Sequence, residues 1–318
     1  MRTHMRTSAA AGRAATGGID VTTPAPEGGS GSGPTVLRML LGSQLRKLRE
    51  ARGITREVAG WEIRSSESKI SRMELGRVSF KERDIADLLT FYGVTDERER
   101  DALLSLARDA NTPGWWHRYS DLLPNWFSYY LGLEAAASLI RTYEIQFIPG
   151  LLQTEEYTRA VVLLSYERAA PDELERRVAL RRQRQQAFHR PSPQQQLWAV
   201  VDEAALRRPI GGHKVMHDQI QYLIEATALP NIRLQVIPFH AGGHAAAGGA
   251  FTILRFPDRD VPDIVYVEQL TGALYLDKRE DVDHYANAME RLCVKAEPPA
   301  STADILHRIL AEIETTGR

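Results

Sequence analysis

From Leu37 onward, apolar positions recur with a helical period. In "LGSQLRKLREARG", Leu41, Leu45 and Leu48 fall four and three residues apart, with Arg and Lys between them, and Gly53 stops the run. This predicts a first helix. "ITREVAGWEI" predicts a second, with Thr55 as N-cap and Glu57 near the positive end of its dipole. Ala59 and Gly60 are small enough for another helix to cross closely. After Arg64 and Ser65, "SSESKISRMELGR" predicts a short third helix that Ser66 can cap, with Ile70 and Met73 facing inward. Ser79-Phe80-Lys81-Glu82 reads as a capping box opening a fourth helix, whose core stripe is Ile85, Leu88, Leu89 and Tyr92 and which Gly93 ends. Thr95 is placed to cap a fifth helix carrying Leu103, Leu104, Leu106 and Ala107.

The pattern changes beyond residue 110. "NTPGWWHRYSDLLPNWF", around residues 111–127, is a Pro-, Gly- and Trp-rich joint. Its Trp115, Trp116, Trp126 and Phe127 are costly to expose and should pack at a domain boundary. "YYLGLEAAASLIRTYEIQFIPGLLQT" and "EEYTRAVVLLSYE" read as helices broken at Pro149-Gly150. "PDELERRVALRRQRQQAFHR" reads as a charged helix, acids first and arginines last, solvated or partner-facing rather than a second nucleic-acid patch. After residue 194 come "QLWAVVDE", "IRLQVIPF", "AFTILRF", "DIVYVEQ" and "ALYLD", short runs rich in Val, Ile, Leu and aromatics that predict strands. "HKVMHDQIQYLIEATA", "REDVDHYANAMERLCVKA" and "STADILHRILAEIE" read as helices. The expected fold is multidomain: an all-α five-helix domain, then an α+β domain with one mixed sheet of about five strands.

Charge sharpens that division. Residues 36–81 hold 11 Lys/Arg against 5 Asp/Glu, a net of +6, while residues 82–318 hold 26 against 34, a net of −8. A small basic module joined to a larger acidic one points to a nucleic-acid contact at one end. Residues 1–35, built from Ala, Gly, Ser, Thr and Pro, bury too little to order and are expected to be disordered. The divisions are then 1–35, 36–110 for the basic module, 111–127 for the aromatic junction and 128–318 for the α+β domain. The chain lacks an apolar run of membrane-spanning length. The single cysteine, Cys293, fits a reducing cytosol and reads as a core thiol. His213, His217, His240 and His244 could supply zinc ligands, but no HExxH, serine elbow or P-loop accompanies them. They read as solvated, "GGHAAAGGA" reads as a loop between strands, and neither an enzyme nor a cofactor is expected.

The segment "GITREVAGWEIRSSESKISRMELGR" resembles the helix-turn-helix of the Cro/phage-repressor-like, xenobiotic-response-element family, over about residues 40–110. Arg64 stands where the family usually has a turn glycine, and bulky Trp61 stands at a usually polar position, where it would cover the turn or meet the second domain. The resemblance implies that the third helix enters the major groove. Glu67, Ser68 and Arg72 would then face bases, Arg72 suiting guanine and Glu67 a cytosine amino group. Arg56, Lys69, Ser71 and Arg77 would bind phosphates, and Arg49 would pair with Glu74. "IPGLLQTEEYTRAV", "VDEAALRRPIGG" and "LPNIRLQVIPFHAGGHAAAGGAFTILRF" are similar to the C-terminal domain of a large actinomycete regulator family, with WhiJ-like and antitoxin-like members. That implies a cytoplasmic regulator of double-stranded DNA, nucleoid-associated when bound. It would act as a homodimer on DNA, with an effector or a small partner protein at the C-terminal domain. The alternative is an antitoxin-like protein that sequesters a small partner and autoregulates its operon.

Overall fold

The computed structural model describes residues 33–188, 195–246, 248–259 and 261–316. The expected disorder of the N-terminal segment falls on residues 1–32, which lie outside the described residues; from Pro34 the chain is helical. Five helices open the described fold: α1 (Pro34–Ala51), α2 (Arg56–Glu62), α3 (Glu67–Glu74), α4 (Glu82–Phe91) and α5 (Glu97–Ala110). Thr55 and Ser66 cap α2 and α3, accepting from the N–H groups of Val58 and Lys69. Two expected caps are corrected. Lys81 precedes α4 without a side-chain cap, and the Asn111 amide instead bonds both backbone groups of Phe80. Asp96, not Thr95, caps α5, because its carboxylate takes the N–H groups of both Arg98 and Glu99.

The five helices close on one apolar core that includes Leu41, Leu45, Ile70, Met73, Ile85, Leu88, Leu89 and Tyr92. Helices α1 and α3 cross at Gly42, where a Cβ would stand 2.5 Å from the Met73 carbonyl oxygen. Glycine there lets the two backbones touch.

The second part is a mixed sheet between helices, as expected, but with six strands rather than about five. In chain order its elements are α6 (Asn125–Ala136), β1 (Leu139–Glu144), α7 (Glu155–Ser165), α8 (Pro171–Phe188), β2 (Gln196–Asp202), α9 (Glu203–Arg207), α10 (His213–Ala226), β3 (Ile232–Ile237), β4 (Phe251–Arg255), β5 (Ile264–Gln269), β6 (Gly272–Leu276), α11 (Arg279–Lys295) and α12 (Thr302–Thr316). The strand order is β3-β2-β1-β4-β5-β6, parallel from β3 to β1 and antiparallel from β1 to β6. Strand β1 lies inside the stretch read as helix. "LIRTYE" alternates between the two sheet faces, Ile140 inward to one core and Tyr143 to the other. An apolar helix directly before it masks that two-residue period.

One sheet face carries Ile140, Ala199, Leu234, Leu254 and Tyr266 against α6, α8, α10 and α12. The other carries Tyr143, Val200, Ile253 and Val265 against Met289 and Leu292 of α11. Trp116 is buried in the first of these cores, with Trp115, Trp126 and Phe127 packed against it. Val36 and Met39 of α1 join the same core, so α1 belongs to both parts of the fold.

The expectation of a solvated or partner-facing α8 holds for one face, with Glu175, Arg176, Arg182 and Gln186 exposed, and is corrected for the other. Val178, Leu180, Arg184 and Phe188 are buried, and Arg184 donates to both carboxylate oxygens of Glu134 at 2.9 and 2.7 Å. Among the described residues no helix is long and apolar enough to cross a membrane.

Candidate nucleic-acid interface

The turn from α2 into α3 sets the geometry of this surface. Ser65 N–H bonds the Gly60 carbonyl at 2.7 Å, and a Cβ on Gly60 would stand 2.8 Å from the Ser65 oxygen. Glycine at the end of α2 therefore lets the chain fold back this tightly. Arg64 takes φ +52°, the one non-glycine residue with positive φ among the described residues. The left-handed conformation required of the turn is met without glycine, at a cost of roughly 1–2 kcal/mol. Trp61 is 68% exposed.

Helix α3 has two unlike faces. Ile70 and Met73 are each 1% exposed and anchor it in the core. Glu67, Ser68 and Arg72 are exposed on the opposite face, and Arg72 Nε rests on the Ser68 carbonyl at 3.3 Å. Ser71 is half-buried between the two faces.

The other residues singled out from the sequence are tied into the protein. Arg49 donates through Nε and Nη2 to the two oxygens of Glu74, and through Nη1 to the Ile54 carbonyl at 2.6 Å. Arg56 Nε donates to the same Glu74 carboxylate at 2.9 Å. The Glu74 side chain is only 2% exposed, so one buried carboxylate holds two guanidiniums and braces α3 against α1 and α2. Its hydrogen bond raises the Arg49 pKa further, keeping that side chain charged. Lys69 Nζ donates to Asp84 of α4 at 2.6 Å. Arg77, just past α3, donates to the Tyr275 carbonyl of β6 at 3.2 Å. Asp84 and Tyr275 are 15 and 198 residues away in sequence, and no local pattern announces either contact.

The histidines do not gather. His217 lies between Asp218 and Glu314, and His240 is 3.7 Å from Glu297. His244 meets the Tyr143 hydroxyl at 2.9 Å and fastens the glycine-rich loop to β1. Among the described residues no three His, Cys, Asp or Glu side chains converge to hold a metal ion. Burial raises the Cys293 pKa, which leaves it a poor nucleophile.

Residues 40–103 match a family model described as a helix-turn-helix domain. Residues 127–308 match a second, described as a domain of unknown function, DUF5753, which spans more than half of the 318 residues. The chain belongs to the DUF5753 family. No curated protein and no solved structure matches it. The DUF5753 match takes in α6, the whole sheet and most of the helices around it, while the helix-turn-helix match takes in α2 to α4 and parts of α1 and α5. With a helix-turn-helix domain at one end, this DUF5753 protein has the build of a DNA-binding regulator.

Proposed function

We propose that the protein is a sequence-specific transcriptional regulator of the Cro/phage-repressor-like group, with a WhiJ-like C-terminal domain. Residues 36–110 read DNA, residues 111–127 join the parts, and residues 128–318 adjust affinity. One observation carries the reading: α3 buries Ile70 and Met73 completely and turns Glu67, Ser68 and Arg72 outward from a helix-turn-helix domain. Arg72 contacts guanine and Glu67 a cytosine amino group, with Ser68 beside them. Arg56, Lys69, Ser71 and Arg77 contact phosphates and fix the register. One such helix reads only a few base pairs, so two copies bind a repeated or palindromic site.

A cleft of 170 Å³, lined by Gln153, Thr154, Glu155, Thr158, Val178, Arg182, Gln185 and Tyr222, supports an effector-sensing role for the second domain. The antitoxin-like reading draws on a different feature: Leu163 and Leu164 are exposed near the end of α7. A small partner protein seated there would co-purify in a stoichiometric complex.

The test of the main reading is selection of bound duplexes from a random-sequence pool by the full chain. Enrichment of one short motif, repeated at a fixed spacing, is expected. A pool that stays random after repeated rounds would remove sequence-specific binding from the account.

A further inference from the structure

Arg77 lies where the two parts of the fold meet. Gly76, with φ +65°, ends α3 and turns the chain onto α1, so closely that a Cβ there would stand 2.7 Å from the Met39 backbone nitrogen. Met39 and Val36 of α1 are buried in the sheet-domain core. The exit of the recognition helix is thus seated on the segment that is common to both parts.

One residue further, the Arg77 side chain, 35% exposed, lies against the sheet domain. Its Nη2 donates to the Tyr275 carbonyl at 3.2 Å and stands 3.9 Å from Oδ2 of Asp277. Tyr129 of α6 borders the same guanidinium. The rings of Tyr129 and Tyr275 meet edge-on at 4.9 Å, and the Tyr275 hydroxyl donates to the Trp126 carbonyl at 2.6 Å. Both rings are therefore held in place independently of Arg77. Burial pushes the Tyr129 hydroxyl up to about 12, so it stays neutral and Asp277 supplies the countercharge.

We propose that β6 and the residue after it form a latch on the DNA-binding module, the Tyr275 carbonyl and the Asp277 carboxylate competing with a DNA phosphate for the Arg77 guanidinium. The inference rests on the reading of Arg77 as a phosphate contact. A latched Arg77 does not reach the duplex, and affinity falls with the fraction of molecules in which it is held. Glu67, Ser68 and Arg72 stay exposed in the latched state, so the latch leaves base reading intact. It acts on the sequence-independent part of binding, which phosphate contacts supply. Whatever moves β6 away from Arg77 tightens binding.

The test is a double-mutant cycle on the full chain: wild type, Asp277→Asn, Arg77→Gln and the double variant. Each is titrated onto a fluorescently labelled duplex of arbitrary sequence, across a salt series. Asp277→Asn should tighten binding about two- to fivefold, the range a half-exposed ion pair allows. Arg77→Gln should weaken binding and flatten the salt dependence, and adding Asp277→Asn to it should change nothing. Equal tightening by Asp277→Asn with and without Arg77 would mean that only a repelling charge had been removed, and the latch is rejected. Binding by wild type with no effect of Asp277→Asn also rejects the latch, but leaves the DNA-binding reading standing. Absence of binding by all four rejects both.

Discussion

Each part of the molecule is braced by one buried Arg–Glu pair, and the two pairs differ in how they are supported. In the helix-turn-helix domain, Glu74 holds Arg49 and Arg56 together, and Arg49 keeps a further partner in the Ile54 carbonyl. In the sheet domain, Arg184 and Glu134 meet with side chains 7% and 6% exposed, and the guanidinium lies over the rings of Phe127 and Tyr130. The first pair sits at a helix crossing, its side chains 8% and 2% exposed, with spare hydrogen bonds. The second is sealed between α6 and α8. The pair in the small domain thus braces the helix that carries the exposed reading edge, whereas the pair in the sheet domain locks two helices of the core.

The comparison predicts an order of damage. Glu134→Ala leaves the Arg184 charge buried without its countercharge and should cost about 3–5 kcal/mol. Urea unfolding of the full chain measures it, and a loss under 1 kcal/mol, roughly what a surface pair contributes, would show that water reaches Arg184. Glu74→Ala should cost less, about 2–3 kcal/mol, because Arg49 retains its backbone acceptor and Arg56 swings to solvent. If Glu74→Ala proves the more damaging, the contrast between the two pairs is reversed.

Acid–base behaviour separates the regions again. Burial, with the nearby Glu268 carboxylate, pushes Glu144 up to about 8. The folded state then holds a proton that the unfolded chain releases near its ordinary carboxylate value, so folding is favoured at low pH. That contribution is complete below about pH 4.5 and is lost as pH rises through 8. Urea midpoints should fall by the equivalent of about 3 kcal/mol between pH 5 and 8, with most of the fall absent in Glu144→Gln. A flat profile in the parent protein contradicts the burial of Glu144. The smallest expected effect lies in the turn. Arg64→Gly relieves a left-handed residue and should stabilise the protein by about 1 kcal/mol, less the extra entropy of an unfolded glycine. A destabilised variant would mean that the Arg64 side chain makes up for its backbone.

The sequence was most legible where causes are local. Thr55 and Ser66 announce α2 and α3 because a cap and its N–H lie three residues apart. The stripe Ile85, Leu88, Leu89 repeats within α4 for the same reason. Neighbouring candidates blurred other ends: Asp96 displaced Thr95 because a carboxylate accepts two N–H groups at once. Strand β1 was hidden because six alternating residues follow directly on an apolar helix. The buried face of α8 was not legible, because Glu134, the acid that Arg184 meets, lies 50 positions away. The candidate reading face was visible for the opposite reason: Glu67, Ser68 and Arg72 occupy one side of a helix only eight residues long.

The most direct test of the central claim is the base preference of Arg72→Ala, measured on the selected site and on every single-base variant of it. The account predicts a loss of about 1–3 kcal/mol on the selected site and relaxed discrimination at one base pair, with the other positions read as before. A variant that binds every sequence more weakly by the same factor, with discrimination intact at all positions, would contradict it.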